Sequence, residues 1–403
     1  MREVTDDIAV VGGGPVGAAT VAALAAHPKR RGRILWFDSN RPLEGSFDGL
    51  SASGPYAAGQ ILANSFDPDT LASHLARRTL AAMNDMARAN IISVSHRPWL
   101  VCARNGNEAV DIAARDALDA AWCEGRLRSF KHIYGQDLAR FPFLKAGDIA
   151  FAVCDESALA VDPRRLVVEL AQWAASHESV RPYFGYTVTE FDGTHFIAAS
   201  ASETVRLAAR AAILCTGVHR LLFPSALPES ETTFLHVFDY RSPAHMPSLD
   251  YSVAGEATIA RYEIFGAARQ RIKPHLQEAV REFDIHPLLT DVPGLRRMLD
   301  THFTNWEQAA ANTPECAARI RDQLGRLVHR SVLPGDPAGH MPLTATSIAS
   351  YARCVQPMGN PTVQMLNAPI MTLYVQPSNG RGITQCIGLG EHVANWLLDH
   401  FDV

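Results

Sequence analysis

Ile8-Ala9-Val10-Val11-Gly12-Gly13-Gly14-Pro15-Val16-Gly17, an Ala-rich run to about His27, and a second apolar run, Ile34-Leu35-Trp36-Phe37, ending on Asp38 together decide the fold. The two apolar runs have the texture of buried strands and the Ala-rich run that of a helix, so the stretch reads as a βαβ unit. In such a unit Gly12 permits the tight turn, Gly14 lets backbone approach a pyrophosphate, and Gly17 lets helix and strand pack closely. Pro15 and Val16 open a helix whose first-turn N–H groups and positive dipole end favour an anion. Asp38 stands about 20 residues beyond the glycines, where a carboxylate can bind ribose hydroxyls. A Gly-rich turn alone is a weak signal. The strand before it, the helix and second strand after it, and the acid at that strand's tip turn it into a dinucleotide site.

Bulk properties set the surrounding limits. A chain of 403 residues is too long for one core, which predicts two domains, and 47% apolar content fits a packed globular protein. A net charge of −5 gives no reason to expect nucleic acid or an anionic membrane as partner. The seven cysteines (Cys102, Cys123, Cys154, Cys215, Cys316, Cys354 and Cys386) are scattered and odd in number, with no C-x-x-C. That spacing argues against a metal site or a secreted disulfide framework and for a reducing compartment. The uncharged stretch 8–26 approaches membrane-span length, but it is rich in Gly and Ala and follows an acidic segment, so neither a span nor a signal peptide is expected. The expectation is a soluble cytoplasmic protein.

Further along, helices are expected over 68–90 (with Asp67 or Asp69 near the cap), 108–123, 164–176 after Asp162-Pro163, and 383–400. Strand texture covers 91–103, 180–191, 195–199, 204–208 and 211–217, with Asp192-Gly193 as a hairpin turn. The segment 141–160 reads as irregular. From about 224 the texture changes: strand-like 234–240 and 258–265 precede charge-rich helical patterns over 270–283, 304–311 and 315–329, then a Pro/Gly loop over 331–342. Strand texture returns at 371–375. Nucleotide-fold texture therefore occurs at the start, middle and end, which predicts an interleaved layout.

Four blocks, in this order and spacing, resemble the D-amino-acid oxidase superfamily of FAD-dependent oxidoreductases, which includes glycine oxidase, sarcosine oxidase and D-amino-acid dehydrogenase. They are VVGGGPVGAAT with the FDS strand tip; SASGPYAAGQI; ESALAVDPRRL with the Thr187-Val188 strand and AILCTG; and SNGRGITQCIGLGEHVANWLL. The resemblance implies an α/β fold, with a Rossmann-type FAD-binding domain (1–95, 155–225 and 355–403) interleaved with an α+β substrate domain (96–154 and 226–354) carrying an antiparallel sheet and extra helices. It implies FAD held by the 12–17 turn, with Asp38 and the adjoining Ser39 at the adenosine ribose and backbone at Val188 near adenine. Ser51, Ser53, Gly59 and Gln60 would line the flavin approach, Thr216 and Gly217 would end a ligand-facing strand, and the loop Gly380, Arg381, Gly382, Ile383, Thr384 would meet the flavin pyrimidine edge. Family members usually end the second strand in Glu; here Asp38 has a shorter reach.

Elementary chemistry supports the last of these placements. Reduced flavin is an anion near N1 and the C2 carbonyl, and N–H donors with a helix dipole aimed there favour accepting a hydride. No second G-x-G-x-x-G is present, so no separate nicotinamide domain is visible, and no close cysteine pair could pass electrons. The expected reaction is hydride transfer from a small amine or amino acid to flavin N5, giving an imine that water hydrolyses, with electrons leaving to dioxygen or another acceptor. Arg353 suits bidentate capture of a substrate carboxylate. Tyr240, Tyr262 and His236 are further pocket candidates, with Tyr251 and His245 in the same segment. Covalent flavin attachment at Cys354 is left open, as is a role for 270–329 as lid or dimer face. Three other readings stand beside this one: a 2-hydroxy-acid dehydrogenase, a flavin monooxygenase, and a non-catalytic flavoprotein subunit. Gly388-Leu389-Gly390-Glu391 lacks the Gly-Asp expected of the monooxygenase.

Overall fold

The structure is a computed structural model. It describes residues 2–30, 32–47, 54–57, 59–107, 109–125, 127, 129–142, 144–191, 195–217, 360–378 and 382–401, and the backbone of 231–241, 250–253, 257–264, 267–274 and 347–355. The expected helices over 304–311 and 315–329, the loop over 331–342 and the turn Asp192-Gly193 lie outside the described residues.

In chain order the first elements are β1 (Arg2–Val11), α1 (Pro15–Ala26), β2 (Ile34–Asp38), β3 (Gln60–Ile61), α2 (Leu71–Arg88), β4 (Ser95–His96), β5 (Trp99–Arg104) and α3 (Ala109–Cys123). Then come β6 (Lys131–Ile133), β7 (Ile149–Asp155), β8 (Leu159–Ala160), α4 (Pro163–Ala175), β9 (Val180–Phe184), β10 (Thr187–Phe191), β11 (His195–Ala199) and β12 (Thr204–Leu214). The rest are β13 (Glu231–Arg241), β14 (Asp250–Val253), β15 (Ala257–Ile264), β16 (Ala267–Pro274), β17 (Ser347–Val355), β18 (Thr362–Leu366), β19 (Met371–Gln376) and the helix Gly382–His400, here α5.

A parallel sheet runs β9-β2-β1-β12-β19, and each strand's alternation of side chains feeds two different layers. Ile8, Val10, Ile34, Trp36, Ile213, Leu373 and Val375 pack among α1, α2, α4 and α5. Val11, Leu35, Phe37, Leu214 and Tyr374 pack instead against Val188, Phe196 and Leu207 of the antiparallel β10-β11-β12 meander. Both faces are covered, which is why these strands read as continuous apolar runs. The stretch 8–26, of near membrane-span length, thus divides into a strand and a helix. Among the described residues no helix is long and apolar enough to cross a membrane.

β12 is one strand where the sequence suggested two. Its first half pairs with β11 and its second half with β19, while β1 runs along the whole of its other edge. Conversely, the expected 180–191 strand breaks at Gly185 (φ +81°). There the Gly185 and Tyr186 N–H groups both donate to the Asp38 carbonyl, at 2.8 and 3.0 Å, sending β9 into the parallel sheet and β10 into the meander.

A second sheet has the order β17-β13-β16-β15-β14-β5-β7-β6. It corrects two expectations. Residues 149–155, read as irregular, form β7 between β5 and β6, where pairing on both edges stabilises a short apolar run. Residues 270–274, read as helix, belong to β16, which pairs with β15 and β13; pairing overrides the helix-forming composition of Arg269-Gln270-Arg271. The expected 91–103 strand is likewise two pieces, β4 and β5, parted at Arg97-Pro98.

Helix ends follow local chemistry. Asp162 caps α4, accepting from Arg164 N (2.9 Å) and Arg165 N (3.1 Å), a contribution of about 1 kcal/mol. Thr70, not Asp67 or Asp69, caps α2 by accepting from Ser73 N at 3.2 Å. α5 lies against both α1 and α2 because two of its residues have no side chain: a Cβ at Gly388 would lie 2.3 Å from the Leu75 carbonyl oxygen, and one at Gly390 2.7 Å from Ala19 backbone.

Candidate active site

The carboxyl ends of β1, β2, β12 and β19 share one edge of the parallel sheet, the edge at which such sheets bind ligands. At its centre Gly12 adopts φ +116°, and a Cβ there would lie 2.2 Å from the Cys215 carbonyl oxygen. A Cβ on Gly17 would lie 1.9 Å from the Gly12 oxygen. Around a Cβ on Gly14, by contrast, nothing lies within 4 Å. Two glycines are thus closed by protein and one faces open space. α1 begins there with Pro15 and no side-chain cap, so its first-turn N–H groups have no partner supplied by a cap or the helix itself. The turn fits a pyrophosphate group.

The turn is anchored on three sides. Gly12 N donates to Phe37 O (2.7 Å), Cys215 N donates to Val11 O (2.7 Å), and Trp36 Nε1 donates to Gly12 O (3.0 Å). Asp38 sits at the tip of β2. Its Oδ2 accepts from Gly13 N, and its Oδ1 accepts from Asn40 N (2.6 Å) and Asn40 Nδ2 (2.8 Å). Ser39 is exposed, while Asn40 is buried. Asn40, which holds Asp38 in place, was missed by the sequence reading; a small amide two residues after the acid was its signal. Beneath the turn, burial pushes the Cys215 thiol up to about 12, offset in part by a hydrogen bond with Thr20. Thr216 and Gly217 follow directly as β12 leaves the sheet.

The second, third and fourth sequence blocks meet beside this turn. The strand β3 pairs with β8, Gln60 opposite Ala160. Val161 N donates to Gly59 O at 2.8 Å, and a Cβ at Gly59 would lie 2.1 Å from the Val161 oxygen. Thr384, in the first turn of α5, donates through Oγ1 to Gln60 O (3.3 Å) and accepts from Leu62 N (3.5 Å). The Gly54–Tyr56 turn packs on α4, with Gly54 against Pro15 at the start of α1. Ile383 is buried, Val188 is buried in the meander, and Ser51, Ser53, Gly380 and Arg381 lie outside the described residues. Gln385, fully buried and hydrogen-bonded, is a second residue missed by the sequence reading. Its signal was a polar pair, Thr384-Gln385, set between Ile383 and the apolar run Cys386-Ile387-Gly388-Leu389.

The four substrate-side candidates all fall in the second sheet. Arg353 pairs with Thr233, His236 with Ser350, Tyr240 with Gln270, and Tyr262 with Arg269, which in turn pairs with Arg241. Paired positions share a face and successive positions alternate. By register, Arg353 and Tyr262 belong to one face, and His236 and Tyr240 to the other. β17 runs beside the Gly54–Tyr56 turn, so the second sheet reaches the edge where the dinucleotide turn stands.

The fold and this edge define a dinucleotide-binding α/β protein with a second, largely antiparallel sheet laid against its ligand edge. The chain matches the FAD dependent oxidoreductase (DAO) family over residues 7–396 and belongs to it. Its cofactor is FAD, as the glycine turn fits. Among curated proteins none matches the chain. Among solved structures it is similar to glycine oxidase from Geobacillus kaustophilus, with 17% identity, 98% of this chain and 95% of that one covered, and a TM-score of 0.66. It is also similar to glycine oxidase from Bacillus cereus (16% identity, 98% and 97% covered, TM-score 0.67). L-amino acid deaminase from Proteus vulgaris shares the fold too (14% identity, 98% and 94% covered, TM-score 0.64).

Proposed function

We propose that the chain is an FAD-dependent oxidase or dehydrogenase of an amino acid or a related small amine. One observation carries the reading: the glycine turn, the β3 strand and the first turn of α5 converge on one sheet edge, and β17, which bears Arg353, runs beside it. Residues 1–95, 155–225 and 355–403 hold the cofactor, and 96–154 with 226–354 hold the substrate. The 12–17 turn and the start of α1 take the pyrophosphate, Asp38 the ribose, and backbone at Val188 the adenine. Gly59 and Gln60 border the flavin approach, and the start of α5 its pyrimidine edge. Bound FAD supplies a two-electron acceptor for the hydrogen on the substrate carbon next to nitrogen.

The protein's own groups then have limited tasks. Arg353 binds the substrate carboxylate through charge-assisted hydrogen bonds and so orients that carbon. First-turn N–H groups of α5 favour the negative charge that builds during reduction. The imine left on the substrate is hydrolysed by water, and dioxygen or another acceptor takes the electrons. Amino-acid substrates in the names of the similar structures agree with this chemistry.

The test is an anaerobic panel of amino acids, amines and 2-hydroxy acids, watched at the flavin absorbance band. Bleaching by an amino acid, lost at the same concentration in Arg353→Ala, supports the reading. A flavoprotein bleached by hydroxy acids alone, or by nothing in the panel, overturns it.

A further inference from the structure

The chain turns a corner where it leaves the second sheet for β8, and one side chain holds that corner. β7 ends on Asp155, and residues 156–158 lead into β8, which pairs with β3. Asp155 has no exposed surface. Its Oδ1 accepts from Ser157 N (3.0 Å) and Ser157 Oγ (2.7 Å), which bends the corner. The same oxygen accepts from Asn64 Nδ2 (3.0 Å), in the turn Ala63–Ser65 that follows β3. Asn64 Nδ2 also donates to Ser157 Oγ at 2.9 Å. The segment 60–64 is therefore tied from two sides. Thr384 of α5 bonds to Gln60 O and Leu62 N, and Asp155 grips Asn64 from the end of a second-sheet strand. β8 also runs beside β15, the strand of Tyr262.

Stability alone does not account for the arrangement. Asp155 Oδ2 has no hydrogen-bond partner, and among the described residues the carboxyl has no ion pair. Burying such a group is costly when it is left partly unsatisfied. One oxygen gathers every bond, and those bonds join two segments that are remote in the chain.

We propose that Asp155 is a positioning residue for the reaction: through Asn64 it fixes the second sheet against β3, and so sets a substrate on that sheet relative to the flavin. The inference rests on the reading that β3 borders the flavin and the second sheet carries the substrate, and adds the residue that holds one against the other. Asp155 acts through Asn64 and Ser157, not on substrate or flavin.

Four variants test it, each isolated as holoenzyme. Asp155→Ala and Asn64→Ala remove the brace. Asp155→Asn keeps an acceptor oxygen in the place of Oδ1. Thr79→Val is the structural control: it breaks the bond from Gly388 N to Thr79 Oγ1 (2.9 Å) in the α2–α5 contact, away from the corner. Four quantities are read: the rate of anaerobic flavin reduction at saturation, the FAD dissociation constant, iodide quenching of flavin fluorescence, and the thermal midpoint. The reductant is whichever amino acid or amine of the panel bleaches the wild-type flavin fastest. Asp155→Ala is expected to slow reduction about 100-fold, the scale of a misplacement by about 1 Å. Its FAD constant is expected to stay within about twofold, while iodide quenching rises. Asn64→Ala, whose side chain is partly exposed, is expected to act in the same direction, and it decides the matter where Asp155→Ala does not fold. Combined with Asp155→Ala it should slow reduction no further, because both act through one contact. Asp155→Asn is expected to keep the rate within about threefold of wild type. Thr79→Val is expected to lower the midpoint with rate and quenching unchanged. If Asp155→Ala and Asn64→Ala lower the midpoint as Thr79→Val does but reduce at the wild-type rate, the positioning role is wrong, even where Arg353→Ala still raises KM. If Asp155→Asn is as slow as Asp155→Ala, the brace through Oδ1 is wrong as well. A wild-type flavin that no amino acid or amine bleaches removes the reading beneath the inference, and the inference with it.

Discussion

Asp38 Oδ2 accepts the backbone N–H of Gly13, fastening the tip of the second strand to the middle of the glycine turn. With Asn40 on its other oxygen, the carboxylate stands at the junction of strand, turn and the loop that follows. Removing it takes away what holds the turn to the strand tip as well as the proposed ribose contact. Asp38→Ala is expected to raise the FAD dissociation constant about 30-fold, the equivalent of about 2 kcal/mol and within the range for hydrogen bonds to a charged acceptor. Fluorescence titration of apoprotein with FAD measures it; an unchanged constant removes Asp38 from the site.

The glycines separate binding from folding. A methyl at position 14 meets nothing within 4 Å, whereas one at position 17 runs into the Gly12 oxygen. Gly14→Ala is therefore expected to leave the apoprotein within about 0.5 kcal/mol of its stability while weakening FAD at least about tenfold. Gly17→Ala is expected to destabilise the apoprotein itself, by about 1–3 kcal/mol or more, because the clash is with backbone. Denaturant unfolding of both apoproteins, set beside their FAD titrations, tests the contrast. Equal loss of stability would contradict the open space at Gly14.

How much of this was legible in the sequence depended on whether information was local. The β1-α1-β2 unit announced itself because strand run, glycine spacing and terminal acid lie within about 30 residues, the size of one such unit. β16 and β7 were misread because pairing on both edges sets their strand state, and one edge of each is taken by a remote strand: β13 beside β16, whose other partner β15 directly precedes it, and β5 beside β7, whose other partner is β6. Asn40 and Gln385 escaped for a related reason. A polar residue's burial shows only when its partners are known, and Gln385 reaches across 313 residues to Ala72.

Two histidines set a pH dependence. Burial lowers the pKa of His132, and both burial and the neighbouring His74 lower that of His392, where α2 meets α5. Each takes a proton less readily in the fold than once unfolded. As pH drops below about 6.5, the unfolded state binds the extra protons and stability falls; above that value the contribution is fully present. Thermal midpoints are expected to decline between about pH 7 and pH 5, and His392→Gln should flatten part of that decline. A midpoint that rises on acidification would reverse the assigned direction.

Cysteine reactivity follows burial in the same way. Burial pushes the thiols of Cys102, Cys215 and Cys386 up to about 12 and that of Cys154 to about 11, while Cys123 is exposed. At pH 8 a thiol near 12 is thiolate in about one molecule in ten thousand, and at Cys102, Cys154 and Cys386, which are buried, access is blocked besides, whereas Cys215 is half-buried. Of these five, Cys123 alone is expected to be alkylated quickly in the native protein, as peptide mass mapping after a short pulse would show. Fast labelling of Cys215 would mean that the floor of the dinucleotide turn opens in solution.

The register of the second sheet makes a demand on the substrate site. Arg353 and Tyr262 share one face, His236 and Tyr240 the other, so a substrate bound over a single face meets one pair and not both. A guanidinium can hold a carboxylate through two parallel hydrogen bonds, which neither His236 nor Tyr240 can match, and this favours the Arg353 face. Arg353→Ala is expected to raise KM for the preferred amino acid about 100-fold, the scale of losing paired charge-assisted bonds, with FAD binding intact. Tyr262→Phe should raise KM more modestly, and His236→Ala and Tyr240→Phe should leave it within about twofold, as for residues outside the pocket. A KM effect confined to His236 and Tyr240 would move the substrate to the opposite face, and comparable effects from all four would contradict the strand register itself.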